Sequence, residues 1–288
     1  MRYHFVEEHR DRWNVGGMCC LLNVSRGGFY AWCRRPKSKR ARVNQELTQE
    51  IRRIYAQGRG EYGSPTIHRV LQEEGLRVNR KRIVRLMRTI GLRSTTRRRW
   101  KQTTKPCKDQ DAAPNLLKQN FHTTGPNRVW LSDITFIKSE RRWLYLTTIE
   151  DMWSRRIVGY AITDHLRAEA VIEALQMALR RREITPGLIF HSDRGTQYAD
   201  HRVRAILNNH GMVQSMSSTG NCYDNAMAES FFATLKKGHA LAQKFQTLEE
   251  ARRVLFEYLE VFYNRVRRHS SLDYKSPVAF EHLYLNLA

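Results

Sequence analysis

The pattern of apolar and polar positions changes near residue 123. Upstream of this point, apolar residues such as Leu47, Ile51 and Ile54 recur at a spacing that is typical of amphipathic helices. Downstream, short apolar runs bounded by turn residues predict β-strands, and the first of them is Val129–Lys138. The sequence therefore predicts an all-helical region followed by a region of mixed helix and strand.

The downstream region predicts a single sheet. Three runs joined by short turns, residues 129–138, 143–151 and 156–163, are typical of an antiparallel meander. The elements predicted after them are a helix at 168–182, a strand at 188–191, a helix around Val203, a strand at 212–216 and a helix around Glu229. Right-handed crossovers would place strand four beside strand one. The expected fold class is α/β, a ribonuclease-H-like core with a mixed five-stranded sheet flanked by helices, preceded by a small all-α helix-turn-helix region.

The upstream region predicts two helical pairs. Residues 15–34 predict two short helices, with Ser25 as the N-cap of the second. Half of a helix-turn-helix and a small helical packing unit fit this first pattern equally well. The second pair gives clearer signals, because Ser64 is expected to cap a helix with Pro65 in its first turn, and Asn79 is expected to cap the next helix.

The helix after Asn79 has a basic outer face, formed by Arg80, Lys81, Arg82, Arg85 and Arg88. A basic helix that follows a tight turn suits the major groove of DNA. The alternative is a helical pair whose basic face is only solvated. The linker that follows adds a second basic cluster for which contact with DNA phosphates is expected: Arg97, Arg98 and Arg99.

The charge divides the chain into two unequal parts. The formal net charge is +22, and residues 1–120 hold 28 Lys and Arg against 10 Asp and Glu, whereas the remaining 168 residues hold 22 against 18. An excess so concentrated indicates that the first part binds a polyanion, and nucleic acid explains it better than a solvated basic surface does.

The composition argues against several other classes of protein. The five cysteines have no Cys-x-x-Cys spacing, which disfavours both a disulfide framework and a structural zinc site. No apolar run approaches the roughly 20 residues needed to span a bilayer, and no signal peptide opens the chain. We expect a cytoplasmic, nucleoid-associated protein with no membrane partner.

Three acids stand out in the downstream region. Asp133 and Asp193 interrupt apolar runs that predict buried strands, and Glu229 lies on a helical pattern. Burial of an unpaired carboxylate is costly, and a divalent metal ion compensates several carboxylates at once. If strands one and four are neighbours, the three acids reach one pocket, where two Mg²⁺ ions about 3.5–4 Å apart would bridge a scissile phosphate.

Each acid, taken alone, also fits a structural role, and three nearby acids compete for the same assignment. Asp151 is expected at the end of strand two, away from the metal centre, and Asp200 is a further candidate. Asp224, with Asn225, is expected to cap the helix that carries Glu229. The predicted order of strands and helices supports a catalytic role for the three acids as a group, because it brings them to one place.

Five segments carry a combined signature: residues 130–136, 149–160, 191–198, 215–226 and 229–236. Together they resemble the catalytic domain of DDE transposases of bacterial insertion-sequence family three, the downstream-frame OrfB protein, which is related to retroviral integrases. The 35 residues between Asp193 and Glu229 match that family's spacing of its second and third acids. Lys236, on the same helix face as Glu229, matches a basic residue implicated in holding DNA ends. Residues 62–63 and 85–88 also resemble the family's DNA-binding region.

The resemblance implies a DNA strand transferase that depends on Mg²⁺ or Mn²⁺, with two ions held by Asp133, Asp193 and Glu229. The implied activity is cleavage at insertion-sequence ends, followed by attack of the freed 3′-hydroxyl on a second phosphodiester. The implied partners are double-stranded DNA of the element ends and the target, further copies of the chain on DNA, and an upstream-frame protein fused by frameshifting.

Five segments are expected along the chain. They are an N-terminal helical DNA-binding unit at 1–45, a second helix-turn-helix-like unit at 46–92, a basic linker at 93–122, a ribonuclease-H-like integrase catalytic core at 123–240 and a C-terminal helical basic extension at 241–288.

Two other functions compete with a transposase. One is a non-catalytic DNA-binding regulator whose acids are structural, and a thermal-stability response to Mn²⁺ would distinguish the two. The other is a retroviral-type integrase, which is disfavoured because the N-terminal cysteines and histidines lack the spacing of a zinc module: Cys19, Cys20, His4 and His9.

Overall fold

The computed structural model describes residues 1–36, 38–94, 113–140, 142–218, 226–241 and 244–285. The predicted phosphate-binding cluster Arg97, Arg98 and Arg99 and the predicted capping pair Asp224 and Asn225 lie outside these ranges. By its internal packing the chain divides into two compact units, Met1–Ile51 and Arg52–Ala288.

The first unit contains three short helices, α1 (Arg2–His9), α2 (Val15–Leu21) and α3 (Arg26–Arg34). Their buried core consists of Val6, Met18, Cys19 and Phe29. The helical pair α2–α3 confirms the prediction for residues 15–34. Helix α1 was not predicted, because Val6 is its one buried residue and a single apolar position gives no periodic signal.

Capping of α3 confirms another prediction, since the Ser25 hydroxyl accepts a hydrogen bond from the Gly28 N–H at 2.8 Å. The long helix α4 (Lys39–Gln57) follows. It buries Leu47, Ile51 and Ile54, as their helical spacing predicts.

The second unit begins with the end of α4 and a helical pair, α5 (Ser64–Glu73) and α6 (Arg80–Thr89). Asn79 caps α6 as predicted, because its side-chain oxygen accepts a hydrogen bond from the Lys81 N–H at 2.8 Å. The prediction that Ser64 caps α5 is wrong: Gly63 is the N-cap, with no side-chain hydrogen bond. Pro65 in the first turn has no N–H to satisfy, which reduces the need for a capping side chain.

The sheet of the second unit has five strands: β1 (Val129–Lys138), β2 (Trp143–Asp151), β3 (Ile157–Thr163), β4 (Ile189–Ser192) and β5 (Val213–Met216). Their order is β3-β2-β1-β4-β5. The first three strands are antiparallel, whereas β4 runs parallel to β1 and β5 runs parallel to β4. This topology confirms the predicted α/β class and the predicted neighbourhood of strands one and four; the predicted bounds of β3, β4 and β5 are off by one residue.

Helices pack on both faces of this sheet: α7 (Ala168–Arg181), α8 (Thr196–Ala199), α9 (His201–Asn209), α10 (Ala226–Lys237), α11 (Leu248–Phe256) and α12 (Pro277–Leu285). One core joins α7 and α9 to the sheet through buried residues that include Trp130, Val171 and Val203. A second core joins α10 and α11 to the sheet through Ile137 and Phe231, among others. None of the described helices combines the length and apolarity that a bilayer crossing requires.

The chain after α11 binds the edge of the sheet. It forms a π-helical turn (Glu257–Tyr263), and the amide of Asn264 then donates to the Ile157 carbonyl and accepts from the Ile157 N–H, both at 3.0 Å. Because β3 is an edge strand, this side chain satisfies backbone groups that the sheet itself leaves unpaired. A 3₁₀ turn (Ser270–Leu272) follows before α12.

The same C-terminal segment also holds the α5–α6 pair. The Tyr62 hydroxyl donates to the Val266 carbonyl at 3.1 Å. Arg267 pairs with the buried Glu61 at 2.9 Å, and this contact lies largely out of solvent. A hydrogen-bonded ion pair in such a place is far more costly to break than a surface pair. The α5–α6 pair is therefore fixed to the sheet through the segment after α11.

Helix α7 lies close to the sheet at Gly159 in β3. A Cβ atom at this position would lie 2.2 Å from the carbonyl oxygen of Ala174 and 2.9 Å from the Cβ of Ala178, both in α7. We expect Gly159→Ala to lower the free energy of unfolding by about 2–3 kcal/mol, because α7 must move away from β3. Urea-induced unfolding measures the change. The matched control is Gly125→Ala, where an added Cβ meets no atom within 4 Å; equal stability of the two variants would contradict the tight packing.

Candidate active site

The pairing of β1 with β4 determines where two of the three acids lie. The parallel register ends with Leu131 opposite His191. Two residues further along each strand, the chain reaches Asp133 in β1 and Asp193 just after β4. Neighbours at equivalent positions of paired strands project from the same face of a sheet, so the two acids lie side by side on one face.

Helix α10 covers that face and brings the third acid. Leu131 packs in one cluster with Met227 of α10, and Ile137 packs in another cluster with Phe231. Asp133 lies between Leu131 and Ile137 and has the same alternation, so it lies beneath α10. Glu229, in the first turn of this helix, is exposed to solvent but contributes to the electrostatic environment of Asp133.

Burial and negative charge together raise the pKa of Asp133 to about 8. Burial is the largest cause, the charge of Asp193 is the next that raises it, and the charge of Glu229 adds to it. The hydrogen bond from the Ile134 N–H, at 2.7 Å, and the charge of Lys236 act in the opposite direction. The fold thus concentrates negative charge at a place where solvent screens it poorly.

The other members of the cluster respond to the same surroundings. Burial raises the pKa of Asp193, and the hydrogen bond from the Gly195 N–H, at 3.0 Å, partly opposes this rise. Burial lowers the pKa of Lys236, while the charge of Asp133 raises it. Lys236 therefore lies within electrostatic reach of Asp133, on the side of α10 that carries Glu229.

Behind the acids lies a buried hydroxyl pair that the sequence did not reveal. The hydroxyl of Tyr198, from α8, lies 3.0 Å from the hydroxyl of Ser132. Burial, followed by the charges of Asp193 and Asp133, raises the pKa of Tyr198 well above its usual value. Tyr198 is thus kept neutral next to the carboxylates. Segment 191–198 contains this tyrosine, but no sequence pattern there predicts its contact with Ser132, which lies 66 residues away along the chain.

His191 lies in β4, two residues before Asp193, and its side chain contacts β5 and the residue just after it. Its two ring nitrogens lie 2.9 Å from the Ser215 hydroxyl and 3.2 Å from the Ser217 hydroxyl. Arg194 donates to the Ser217 carbonyl at 2.8 Å. These contacts fix the turn that carries Asp193.

Two of the competing acids have structural roles. Asp151 is buried at the end of β2, as predicted, and accepts hydrogen bonds from the N–H groups of Asn127, Trp153 and Ser154 at 2.7–3.1 Å. Asp200 caps α9 by accepting from the Arg202 N–H at 2.8 Å. Both carboxylates are occupied by the turns that they stabilise.

The acids do not form a closed metal cage. Among the residues that the structure describes, no group of three His, Cys, Asp or Glu side chains is arranged so that it could hold one ion. The donor set around Asp133 consists of carboxylate oxygens, the ligands that Mg²⁺ and Mn²⁺ prefer. Mg²⁺ commonly binds to one or two carboxylates and completes its shell with water and substrate phosphate, so an open cluster fits such an ion.

The basic face predicted on α6 lies at the surface of the second unit. Arg80, Lys81, Arg85 and Arg88 are exposed, and Arg82 is half-buried. The inner face of α6 buries Ile83, Leu86 and Met87. Because the apolar stripe occupies the inner side of the helix, the four exposed cations are available to an external anion.

Comparison with known families agrees with this architecture. A family model described as "Integrase core domain" matches residues 123–222, and a second model with the same description matches residues 210–277. A model described as "HTH-like domain" matches residues 42–100. A chain of the simian T-cell lymphotropic virus intasome, in complex with PP2A regulatory subunit B56 gamma, superposes with a TM-score of 0.46 at 14% identity, covering 74% of this chain and 69% of that one.

Curated relatives match almost the full length of the chain. An uncharacterized 31 kDa protein of insertion element IS600 from Shigella sonnei is 41% identical, covering 94% of this chain and 100% of the relative. Transposase InsF for insertion sequence IS3A from Escherichia coli is 36% identical, covering 98% of both chains. With this identity over nearly its whole length, and with its integrase core domain, the chain belongs to the transposase family of insertion sequence IS3.

Proposed function

We propose that the protein is a DNA transposase that cleaves DNA at the ends of an insertion sequence and transfers the freed strand to a target. The observation that carries the proposal is the placement of Asp133 and Asp193 on one sheet face beneath α10, where the charges of Asp193 and Glu229 both raise the pKa of Asp133. A fold gains no stability from gathering like charges in a poorly screened place, and such clusters are typical of functional sites. Relatives named as transposases support the choice of reaction.

Asp133, Asp193 and Glu229 are the residues proposed to hold divalent metal, Mg²⁺ or Mn²⁺, with two ions as the expected number. The ions would generate a nucleophile at neutral pH and stabilise the charge on the leaving oxygen. The pKa of Asp133 stays raised although the charge of Lys236 acts to lower it, and this supports the assignment.

The proposed reaction has two steps of the same kind. In the first, a water oxygen forms a bond to a phosphorus at the element's end, the bond from phosphorus to the 3′-oxygen breaks, and the water proton passes to solvent. In the second, the freed 3′-hydroxyl attacks a phosphodiester of the target, whose own 3′-oxygen leaves. The three acids are proposed to position the site for both attacks, and Lys236 is proposed to hold the phosphate of the DNA end.

The α5–α6 pair is proposed to bind the DNA that the acids cut. Arg80, Lys81, Arg85 and Arg88 form an exposed basic stripe, and the C-terminal segment holds α5 in place through Tyr62. Arg82 and the linker cluster Arg97, Arg98 and Arg99 are proposed to add phosphate contacts. Residues 46–92 would therefore bind DNA and residues 123–240 would carry out the chemistry. Because two element ends must be held at once, we propose a homo-oligomer on DNA, joined by an upstream-frame protein.

Substitution of one acid tests the proposed chemistry directly. Asp193→Asn should reduce cleavage of element-end DNA by roughly a thousand-fold or more, because several kcal/mol of metal-dependent stabilisation are lost. DNA binding should persist in an electrophoretic mobility assay. The matched control is Asp200→Asn, since asparagine also caps helices and Asp200 lies at the start of α9; this variant should cleave normally. Cleavage by Asp193→Asn at the wild-type rate with Mg²⁺ present would refute the assignment.

The raised pKa of Asp133 predicts a dependence of stability on pH. The unfolded carboxyl ionises near 3.8, whereas the folded one keeps its proton up to about pH 8. The contribution of Asp133 to folding is therefore complete below the lower value and is lost as the pH rises towards 8, by up to about 1.4 kcal/mol per pH unit. Denaturant unfolding of the wild type and of Asp133→Asn without metal should diverge across this window, with the variant the more stable at pH 8.

Added Mn²⁺ provides the complementary measurement. The ion binds the ionised carboxylate, so it should raise the melting temperature of the wild type more at about pH 8 than at about pH 6. Asp133→Asn should show little of this rise. A melting temperature of the wild type that ignores Mn²⁺ at every pH would favour the DNA-binding regulator instead.

The basic stripe on α6 gives a prediction about salt dependence. The double variant Arg85→Ala/Arg88→Ala should weaken binding to duplex DNA and reduce the slope of log K against log salt by about 2, one for each lost phosphate contact. Fluorescence anisotropy across a salt series measures the slope. Arg253→Ala is the control, because this arginine is exposed on α11. An unchanged slope in the double variant would exclude the stripe from the DNA interface.

A further inference from the structure

A cavity of about 550 Å³ opens in the second unit beside α10 and next to the proposed active site. Its walls come from α5, from the end of β2, from α10 and from the segment after α11. Its lining includes Thr66, Glu150, Thr234, Tyr263 and Ser271. A volume of this size is typical of small-ligand sites.

The floor of the cavity contains an unusual buried acid. Glu150 is 1% exposed, and neither of its carboxylate oxygens has a hydrogen-bond partner within the described part of the chain. The nearest cation is Arg155, whose Nη1 lies 3.7 Å from Oε1, beyond hydrogen-bonding distance. Burial raises the pKa of Glu150 to about 8. Such an acid costs stability unless a ligand satisfies it.

A second buried glutamate shows how this fold satisfies a carboxylate that has only a structural role. Glu281 is 3% exposed and accepts hydrogen bonds from Arg156 and Arg182, one on each oxygen. Both glutamates lie in the same unit and are buried to the same degree. They differ in their hydrogen bonds: both oxygens of Glu281 accept one from an arginine, whereas neither oxygen of Glu150 has a donor within the described residues. Because Glu150 lines the cavity, a ligand in the cavity could supply the missing donor.

The cavity lies on the same sheet face as the three acids. Thr148 of β2 pairs with Asp133, and Glu150 follows two residues later, on the same face and roughly 7 Å further along the strand. Helix α10 separates the two places, because its Glu229 and Lys236 act on Asp133 while its Thr234 lines the cavity. A DNA strand held at the acids would reach the cavity within about two nucleotides.

The mouth of the cavity provides donors for an anion. Gly63, Pro65 and Thr66, at the start of α5, line it, and this helix has no side-chain cap. Apart from Pro65, which has no N–H, the residues of this first turn have uncapped N–H groups, and such groups at the start of a ten-residue helix attract phosphate. Ser271, which is exposed to solvent, also lines the cavity. A ligand that fits this cavity would place an anionic group near the start of α5 and a hydrogen-bond donor near Glu150. A nucleotide has both groups.

We propose that the cavity receives one unstacked nucleotide of the bound DNA strand, with its phosphate against the first turn of α5 and an amino group of its base donating to Glu150. The proposal rests on the proposed function, since DNA must be the substrate. Tyr263 and Thr234 bound the space that the base occupies. The site adds a base preference near the cut, because cytosine, adenine and guanine bring an exocyclic amino donor to Glu150 and thymine does not.

The test compares two single-stranded probes, oligo(dC) and oligo(dT), which differ in the exocyclic amino group that Glu150 would accept from. The wild type should bind oligo(dC) roughly tenfold more tightly by fluorescence anisotropy. Glu150→Met should bring the ratio close to one and leave the melting temperature equal or higher, because an unsatisfied buried carboxylate is removed. Glu150→Gln, which keeps an acceptor oxygen, should retain part of the preference.

Two further variants separate the cavity from general effects on folding. Glu281→Gln should lower the melting temperature and keep the preference for oligo(dC), since it weakens a satisfied structural pair. Thr234→Phe should narrow the cavity and remove the preference while Glu150 remains in place.

The outcomes also separate this proposal from the proposed function. A wild type that cleaves element-end DNA but binds both probes equally, or a preference that survives Glu150→Met, overturns the nucleotide site alone. A wild type that binds neither probe and cleaves no DNA overturns both.

Discussion

The parallel pairing of β1 with β4 is the contact on which the rest of this structure depends. Its register ends with Leu131 opposite His191, and the two acids follow at equivalent positions. A shift of one residue would turn every side chain of the strand to the other face, so Asp133 would face α7 instead of α10. The hydrophobic residues on both sides of the sheet thus fix a position whose electrostatics are unfavourable. Packing energy holds the charges together.

The second constraint is the attachment of the α5–α6 pair to the sheet. The segment after α11 contacts both, because Asn264 binds the edge strand β3 and Arg267 pairs with Glu61 ahead of α5. Fixed contacts of this kind place the basic stripe of α6 at a defined position relative to the acids. Under the proposed function, DNA bound by the stripe would therefore be aligned for the acids.

The sequence predicted the elements well because their signals are local. Alternating apolar residues gave the exact bounds of β1 and β2, and Asn79 and Ser25 were identified as caps from their residue type and position. The pairing of strand four with strand one also followed, since right-handed crossovers leave few alternatives. Helix α1 and the Gly63 cap were missed because neither leaves a periodic or a side-chain signal. Contacts such as Tyr198 with Ser132 join residues distant in sequence, and no pattern along the chain encodes them.

The acids that are fully or partly buried in this protein fall into two groups, which differ in their hydrogen bonds and neighbouring charges. Asp151 and Glu281 accept hydrogen bonds from the groups around them and complete the fold. The pKa values of Asp133 and Glu150 are both raised to about 8, because burial disfavours the charged carboxylate more than nearby donors and cations favour it. Both of the latter lie on the sheet face beneath α10, on neighbouring strands. Within the described residues, the fold leaves Glu150 without a hydrogen-bond partner and surrounds Asp133 with like charges, and it thereby concentrates instability where a substrate can relieve it. DNA, with phosphates that bring cations and bases that bring amino groups, has the chemistry to satisfy both.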